Sequence, residues 1–305
     1  MTTPPGIAYI NGNFAPMADA RISVLDWGFL RSDATYDVVH VWQNRFFRLD
    51  KHIERFLTSI DRLHMTLPVN RAELEGILAE CVRRSGHEDA YVEMILTRGV
   101  SPTFSRDPRD AVNNLICFAI PFGWIVKPEN RNAGMNVAIS DITRIPPAAV
   151  DPRVKNYHWL DFVMALYGAY ERDADNVILL DQDGFVTEGP GFNVFVIKDG
   201  KVRTPDSGVL EGITRQTAIE LARELQIPVE ACPLPGDALR GADEVFATST
   251  AGGLMAVTTI DGVAIGDGTA GPTTRRLTEL YWAKHADPAW STAVSEIPTL
   301  DTASS

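Results

Sequence analysis

The chain has 305 residues, of which 45% are hydrophobic and 22% are charged, so it can bury a substantial core and form two lobes or domains. Its 28 basic residues against 40 acidic residues give a net charge of −12, and no basic cluster is dense enough to follow a phosphate backbone, which excludes a nucleic-acid partner. Three widely spaced cysteines exclude a disulfide framework and a zinc site, and no apolar run approaches the roughly 18 residues of a membrane helix. We expect a soluble cytoplasmic protein with no metal and no membrane contact.

The N-terminal part of the chain is predicted to begin in β structure. "AYINGNF" indicates two short strands around an Asn11-Gly12 turn, and "YDVVHVWQNRFFRL" is a second hairpin-like stretch. Apolar residues at helical spacing then predict a helix from Lys51, with Asp50 placed to cap it, and another helix from about Arg71. "AYVEMILTRG" and "NNLICFAIPF" predict two further strands of the same lobe.

A boundary between two lobes is predicted at "PFGWIVKPENRNAG". Proline, glycine and mixed charges interrupt both the helical and the strand periodicity over this stretch. We therefore expect a small N-terminal lobe at 1–121, an interdomain linker at 122–133 and a larger C-terminal lobe at 134–305.

The C-terminal lobe is predicted to alternate hairpins with helices. A strand at "MNVAIS" precedes a helix from about Trp159 to Glu171, and "NVILLDQDGFVTE" and "FNVFVIKDGKVRT" predict hairpins. A helix from about Thr214 must end before Pro228, and a strand at "EVFATS" and a helix near "PTTRRLTELYWAKH" follow. The Ser/Thr-rich tail from about Thr292 is expected to be mobile. Hairpins mixed with helices predict an α+β fold of two lobes, not a parallel doubly wound sheet.

Four short segments contain the residue types that chemistry needs. Lys155 in "DPRVKNYHWLDF" lies beside aromatic residues, either as a snorkelling surface lysine or as an amine that attacks a carbonyl group. Glu188 in "VTEGPGFN" either caps a turn or holds the proton of a pyridinium nitrogen. "GVLEGITRQT" at a helix start and "TSTAGG" after a strand are both suited to binding an anion. Arg55 is either a phosphate partner or a solvated surface residue.

In this order and spacing, "RVKNYHWLD", "TEGPGFNVF", "GVLEGITR" and "TSTAGG" resemble the fold-type IV, pyridoxal-phosphate-dependent aminotransferases. The similarity runs from about Tyr9 to about Ala289. The resemblance implies a small N-terminal lobe, a larger cofactor-binding lobe and a homodimer. It also implies pyridoxal 5′-phosphate (PLP) as the cofactor and a small-molecule amine and a keto acid as the substrates.

The resemblance further implies a role for individual residues. Lys155 would form the internal aldimine with PLP and move the proton between the substrate Cα and the cofactor. Glu188 would bond the pyridine nitrogen, Asn193 would belong to the same cofactor site, and Leu210 would pack against one face of the ring. The phosphate would be bound by Arg55, by the backbone N–H groups of Ile213 and Thr214, and by Thr250.

Within the family, "RSDATYDVVHVWQNRFFRLDKHIERF", "YVEMILTRG" and "KNYHWLD" resemble the (R)-selective amine transaminases most. Branched-chain aminotransferases usually have an arginine at the position of Glu93. The glutamate here therefore makes the branched-chain subgroup the less favoured assignment. The same resemblance implies a large and a small substrate pocket, lined by Tyr36, Val38, Tyr91, Glu93, Trp159 and Ala251.

One loop departs from the amine-transaminase pattern. Those enzymes often have an arginine after "TRG" that binds the carboxylate of pyruvate, whereas Phe104 in "VSPTFSRDPRD" occupies the matching position. Arg106 on the same loop, and Arg31 where the subgroup often has histidine, are alternative partners for that carboxylate.

The sequence therefore predicts a transaminase that moves an amino group from an (R)-configured primary amine or a D-amino acid to a keto acid such as pyruvate, in two half-reactions. A branched-chain L-amino-acid or D-amino-acid aminotransferase and an aminodeoxychorismate lyase are alternatives within the same fold. An acidic binding module whose lysine takes part in no reaction is the alternative outside enzymes.

Overall fold

A computed structural model describes residues 3–300 of the chain, which form two compact units. The first unit contains the residues up to Gly123, the short segment Val154–Tyr157 and the segment from His285. The second contains Trp124–Arg153 and His158–Lys284. Two segments that the sequence assigned to the C-terminal lobe thus lie in the first unit, because each of them pairs with a strand there.

The first unit is built on a seven-stranded sheet. Its strands are β1 (Ile7–Ile10), β2 (Asn13–Pro16), β3 (Ala34–Trp42), β4 (Arg45–Phe47), β5 (Ala90–Val100), β6 (Val112–Pro121) and β16 (Ser291–Ala293). They are ordered β16-β4-β3-β5-β6-β1-β2, and all neighbours run antiparallel. Both hairpins predicted in this part of the sequence are confirmed.

The described residues of the first unit also form three α-helices: α1 (Trp27–Arg31), α2 (Leu49–Arg62) and α3 (Arg71–Ser85). The apolar stripes of α2 and α3 form one core with the strands, in which Ile53, Phe56, Leu74 and Leu78 are fully buried. Burying each such side chain contributes about 1.5–3 kcal/mol. The helical spacing that predicted α2 and α3 is therefore the spacing that forms this core.

The two long helices begin differently. The Asn70 side chain accepts a hydrogen bond from the Glu73 N–H, and the Glu73 carboxylate accepts one from the Asn70 N–H, so α3 starts with a capping box. At α2 the N-cap is Arg48, whose left-handed backbone (φ 55) follows directly from β4, and no side chain caps the helix. The prediction that Asp50 caps α2 is wrong, because Asp50 lies inside the first turn. Its negative charge there interacts favourably with the positive end of the helix dipole.

The second unit is built on a nine-stranded sheet. Its strands are β7 (Met135–Ile139), β8 (Asn176–Ile178), β9 (Glu188–Gly189), β10 (Phe192–Lys198), β11 (Lys201–Thr204), β12 (Val229–Ala231), β13 (Glu244–Ser249), β14 (Gly253–Ile260) and β15 (Val263–Ala264). Their main order is β12-β11-β10-β13-β14-β7-β8, with β9 paired to β10 and β15 paired to β14. Only β7 with its two neighbours and β11 with β12 run parallel, which confirms the predicted α+β fold class.

Four helices belong to the second unit: α4 (Leu160–Tyr170), α5 (Ile213–Glu224), α6 (Asp237–Arg240) and α7 (Pro272–Ala283). α5 and α7 pack on each other and against β13 and β14, and α4 packs against β7 and β8. Short 3-10 segments lie at Met17–Asp19, Pro108–Asp110, Pro128–Asn130, Lys284–Ala286 and Val294–Glu296. None of the helices in residues 3–300 combines the length and the apolar character needed to cross a membrane.

The stretch "NVILLDQDGFVTE" folds back at the predicted Asp183-Gly184 turn, although β8 itself pairs in parallel with β7. The Leu179 N–H donates to the Glu188 carbonyl oxygen (3.0 Å), the Thr187 N–H donates to the Leu179 carbonyl oxygen (3.0 Å), and an isolated antiparallel bridge joins Leu180 to Val186. One further sequence expectation needs correction. The tail from Thr292 is not a mobile segment over its described part, because Thr292 lies in β16 and pairs with Phe46 of β4. The remainder of the predicted tail, 301–305, lies outside the described residues.

Candidate active site

Lys155 is fixed against the beginning of β3. Its carbonyl oxygen accepts hydrogen bonds from the Tyr36 N–H (3.2 Å) and from the Thr35 hydroxyl (2.8 Å), and Thr35 forms an isolated antiparallel bridge to Asn156. The Lys155 Nζ lies 4.3 Å from the centre of the Tyr36 ring, which is a cation–π distance. The segment is therefore tied to the sheet through its backbone, and its amine faces an aromatic ring.

Two residues after the lysine, Tyr157 joins an aromatic and acidic cluster. Its ring stacks on Tyr36 with a centroid distance of 4.2 Å and an interplanar angle of 8°. Its hydroxyl donates a 2.6 Å hydrogen bond to Glu93 Oε1. Burial raises the pKa of Glu93, against the opposing effects of this hydrogen bond and of Lys155. Burial and the neighbouring Glu93 raise the pKa of Tyr91 and of Tyr157, so both phenols stay protonated and can donate hydrogen bonds.

The register of β3 and β5 explains why these side chains meet. Val38 lies opposite Glu93 and Tyr36 lies opposite Ile95 across the antiparallel ladder, so they share one face of the sheet. Tyr91 is two residues before Glu93 and points the same way. Five residues that the sequence analysis named as site residues thus meet at one face of the sheet: Lys155, Tyr36, Val38, Tyr91 and Glu93. Tyr157, which the sequence analysis did not name, joins them.

Arg55 is held on the other side of β3. Asp37 lies between Tyr36 and Val38 and points toward α2, where its carboxylate accepts hydrogen bonds from Arg55 Nε (2.7 Å), Arg55 Nη2 (2.8 Å) and His52 Nδ1 (2.8 Å). Burial alone would raise the pKa of Asp37, but Arg55 and His52 outweigh it and hold that pKa below its ordinary value. Burial lowers the pKa of His52, although Asp37 opposes the change. The guanidinium of Arg55 is therefore held in one orientation.

The residues predicted to bind an acceptor carboxylate lie elsewhere in the first unit. Arg31 ends α1, with its guanidinium carbon 3.6 Å from the centre of the Trp27 ring. Phe104 lies between β5 and β6, is 77% exposed and has a left-handed backbone (φ 54). Arg106 is exposed on the same loop. Their part in substrate binding stays a prediction.

In the second unit, Glu188 is the centre of a buried polar cluster. Its Oε2 accepts hydrogen bonds from the Leu210 N–H (3.0 Å) and from Asn193 Nδ2 (3.4 Å). Its Oε1 lies 3.2 Å from Arg144 Nη2. Asn193 Nδ2 also donates to the Leu210 carbonyl oxygen at 2.9 Å. The cluster brings together three predicted cofactor residues, Glu188, Asn193 and Leu210, and adds Arg144.

The start of α5 has features that are suited to binding an anion. Gly212 is its N-cap and no side chain caps it, and the first-turn N–H groups of Ile213 and Thr214 have no partner within the helix. The positive end of the helix dipole lies at the same place. A Cβ on Gly212 would lie 2.1 Å from Asn193 Oδ1, so only glycine fits between this turn and the Glu188 cluster.

The turn after β13 supplies further hydroxyl groups in the second unit. The Ala251 N–H donates to Ser249 Oγ (3.2 Å), and the Ala251 carbonyl oxygen accepts from the Ile125 N–H (2.9 Å). Thr250 lies between them, half-buried. Thr248 directly precedes Ser249 in β13. Its hydroxyl is buried and has no hydrogen-bond partner in the part of the chain that the structure describes.

Trp159 directly precedes α4. Its ring lies edge-on to Phe162 with the centroids 5.5 Å apart. A Cβ on Gly191 would contact the same ring at 3.5 Å, so the Gly189–Gly191 turn and the Trp159 ring are neighbours. The substrate contacts predicted for Trp159 and Ala251 stay predictions.

These groups suit PLP. The uncapped start of α5 and the buried Thr248 hydroxyl, which has no hydrogen-bond partner among the described residues, match the needs of a phosphate, and the carboxylate of Glu188 matches a protonated pyridine nitrogen. A lysine is the side chain that bonds an aldehyde, and Lys155 meets that need.

Comparison with known proteins decides the family. A model described as "Amino-transferase class IV" matches residues 34–260. The chain belongs to the class IV aminotransferases. This aminotransferase is 34% identical over 276 residues to the putative branched-chain-amino-acid aminotransferase of Methanocaldococcus jannaschii, which covers 90% of this chain and 94% of that protein. It is 31% identical over 269 residues to the D-alanine aminotransferase of Bacillus licheniformis, covering 88% and 93%.

The fold of this class IV aminotransferase agrees with solved structures. It matches the branched-chain aminotransferase of Thermoproteus uzoniensis with norvaline at a TM-score of 0.87 and 28% identity, covering 95% of this chain and 99% of that one. A second match is a branched-chain amino acid aminotransferase of a T.th. strain with pyridoxamine 5′-phosphate, at a TM-score of 0.89 and 30% identity, covering 96% and 100%. The protein is therefore a PLP-dependent enzyme that transfers amino groups.

Three site residues were not found from the sequence. Tyr157 was within reach of sequence reasoning, since it lies two residues after Lys155 and alternate residues of an extended segment share one side. Asp37 binds Arg55, which is 18 residues away in the sequence, and Arg144 binds Glu188, which is 44 residues away. No local pattern indicates contacts of that kind.

Proposed function

We propose that this aminotransferase moves the amino group of an (R)-configured primary amine or a D-amino acid to a keto acid such as pyruvate, in two half-reactions. The observation that carries the proposal is the buried acid Glu93 on the sheet face that Lys155 also meets. A donor carboxylate beside Glu93 would meet another acid, so this face favours a primary amine over a D-amino acid. The carboxylate of a D-amino acid or of pyruvate would need a cation away from Glu93, for which Arg31 and Arg106 are the candidates. An apolar substituent would instead pack on Tyr36 and Val38.

The roles that we propose for individual residues follow their chemistry. Lys155 would hold the cofactor at its aldehyde group and would move the proton at the substrate Cα. Glu188 keeps the proton on the pyridine nitrogen, and PLP supplies a ring that accepts electrons from the Cα. The phosphate is bound by Ile213 and Thr214 through their N–H groups, and by Thr250 and Arg55. The substrate is bound by Tyr36, Val38, Tyr91, Glu93, Trp159 and Ala251.

A branched-chain L-amino-acid or D-amino-acid aminotransferase is the second candidate. The names of the relatives from Methanocaldococcus jannaschii and Bacillus licheniformis favour it. Every donor of that kind has a carboxylate, which needs a cationic partner in the pocket. In this chain Arg31 and Arg106 are the candidates for such a partner.

A donor panel separates these functions. We expect turnover with (R)-1-phenylethylamine and D-alanine, and little with (S)-1-phenylethylamine, L-alanine or L-leucine, when pyruvate is the acceptor. L-Leucine as the best donor would contradict the proposal and favour the branched-chain function. Glu93→Gln, which removes the charge at nearly constant volume, should increase the use of D-alanine relative to (R)-1-phenylethylamine.

A donor-only incubation tests the reaction class. A transaminase without acceptor should release about one equivalent of ketone per site and then stop, because the amino group stays on the enzyme. Continued release of product under these conditions would favour a lyase.

We also propose a homodimer in the cytoplasm. The outer face of α4 supports the dimer, because it exposes a row of apolar and aromatic side chains that a second subunit would cover: Leu160, Val163, Met164, Tyr167 and Tyr170. Light scattering at micromolar concentration tests this assembly, and a monomer mass would contradict it.

A further inference from the structure

Arg144 lies between two buried carboxylates of the second unit. Its Nη1 donates a 2.6 Å hydrogen bond to Asp161 Oδ2, and its Nη2 lies 3.2 Å from Glu188 Oε1. Its guanidinium carbon is 4.1 Å from the centre of the Phe162 ring, and only 11% of the side chain is exposed. Two acids and an aromatic face thus set the position of one cation.

Asp161 ties the Arg144 segment to the start of α4. The same Oδ2 that binds Arg144 accepts the Ile145 N–H at 3.0 Å, and Oδ1 accepts the Phe162 N–H at 2.8 Å. The carboxylate of Asp161 is therefore fixed by the backbone on both sides. Because Asp161 cannot turn away without losing these bonds, it holds Arg144 in the orientation that reaches Glu188.

The two oxygens of Glu188 have different partners. Oε2 accepts hydrogen bonds from neutral groups, the Leu210 N–H and the Asn193 amide, whereas Oε1 faces the guanidinium of Arg144. A buried carboxylate keeps its charge only where a cation or several donors compensate for the lost water. Arg144 supplies such a cation at hydrogen-bond distance from the Glu188 carboxylate.

We infer that Arg144 is a positioning residue that keeps Glu188 ionised and correctly oriented to accept the N–H of the cofactor's pyridinium ring. The inference rests on the role proposed above for Glu188 and adds a residue that acts through it. Arg144 then matters for how the protein recognises the ring nitrogen, not for contact with the reacting atoms.

The test compares two cofactors that differ only at that nitrogen. PLP and 1-deazapyridoxal 5′-phosphate, in which a C–H replaces the ring nitrogen, are titrated into the full-length protein freed of cofactor, with tryptophan fluorescence as the readout. The wild type should bind PLP roughly ten- to a hundredfold more tightly, since only PLP forms a charge-assisted hydrogen bond with Glu188. Arg144→Met should reduce this preference to within about threefold, because the Glu188 carboxylate would lose the cation that orients it toward the ring nitrogen.

Three further variants make the result specific. Arg144→Lys keeps the charge without the planar fork and should restore part of the preference. The double variant Arg144→Met/Asp161→Asn avoids leaving Asp161 unpaired and should lose the preference as the single variant does, which gives a test should Arg144→Met fail to fold. Arg172→Met, at a half-exposed arginine 3.6 Å from Asp261 in the same unit, is the matched control and should keep the wild-type preference.

The outcomes separate this inference from the proposed function. Glu188→Gln should lose the preference. Suppose that Glu188→Gln loses the preference for PLP, whereas Arg144→Met and the double variant keep it. This result would overturn the role of Arg144 and leave that of Glu188 intact. A Glu188→Gln protein that keeps the wild-type preference would overturn the role of Glu188, and the role of Arg144 with it.

Discussion

Replacement of Asp37 by asparagine tests the buried charge network behind β3. The Asp37 carboxylate is fully buried and accepts two hydrogen bonds from Arg55 and one from His52. Asparagine keeps the shape but removes the negative charge, so Arg55, whose side chain is only 10% exposed, would lose this ionic partner. Breaking a buried ion pair from one side costs about 3–5 kcal/mol. Because the asparagine carbonyl still accepts one hydrogen bond, we expect the lower end, about 3 kcal/mol.

The same network predicts how stability changes with pH. The pKa of Asp37 is lower in the folded chain than in the unfolded chain, so its contribution to stability is complete above about pH 4 and is lost as the pH falls further. The pKa of His52 is also lowered, which adds a loss of stability that begins as the pH falls below about 6.5. The asparagine that replaces Asp37 does not titrate, so the variant should lose less stability than the wild type below about pH 4.

Urea unfolding followed by tryptophan fluorescence, at pH 7 and in steps down to about pH 3, measures both effects. Asp107→Asn is the matched control, because Asp107 pairs with Arg109 on an exposed loop, and its replacement should leave the unfolding midpoint unchanged. The reasoning is refuted if Asp37→Asn unfolds at the same urea concentration as this control.

Three further changes test separate parts of the molecule. Tyr157→Phe removes the 2.6 Å hydrogen bond to Glu93 and should lower the free energy of unfolding by about 1–3 kcal/mol in urea, so a stability equal to the wild type would show that the bond contributes nothing. Phe104→Arg should raise the use of pyruvate relative to neutral ketones roughly tenfold in initial-rate assays, and an unchanged ratio would show that the loop does not reach the substrate. Asn70→Ala removes the cap of α3 and should cost about 1 kcal/mol by thermal unfolding, whereas a change in melting temperature within error would assign the helix start to packing alone.

Elements whose signals are local were predictable from the sequence. The Asn11-Gly12 hairpin needs only two turn residues, and the start of α3 needs only Asn70 and Glu73. Features that depend on distant pairing were not. β16 pairs with β4 across almost the whole chain, and the segment of Lys155 pairs with β3, which neither periodicity nor turn chemistry indicates.

The candidate site divides in the same way. Lys155, Glu188 and the glycine before α5 could be singled out as candidates from residue type and immediate neighbours, whereas their roles come from the family resemblance and stay predictions. The groups that orient them were not, since Arg144 reaches Glu188 only through a loop fixed by Asp161. Asp50 is a case in which a local signal was misleading. The helix was expected to start at Lys51 with Asp50 as its cap, but β4 leads directly into a helix that starts at Leu49, so Asp50 lies inside the first turn.

The attachment of the cofactor to Lys155 is measured most directly by reduction of the PLP-loaded protein with sodium borohydride, followed by peptide mass spectrometry. Reduction makes the bond between the cofactor and its lysine permanent, so the labelled peptide identifies the residue. We predict that the added mass lies on Lys155 and that the yellow colour disappears. A label on any other lysine, or a yellow protein that gives no labelled peptide, would contradict the assignment.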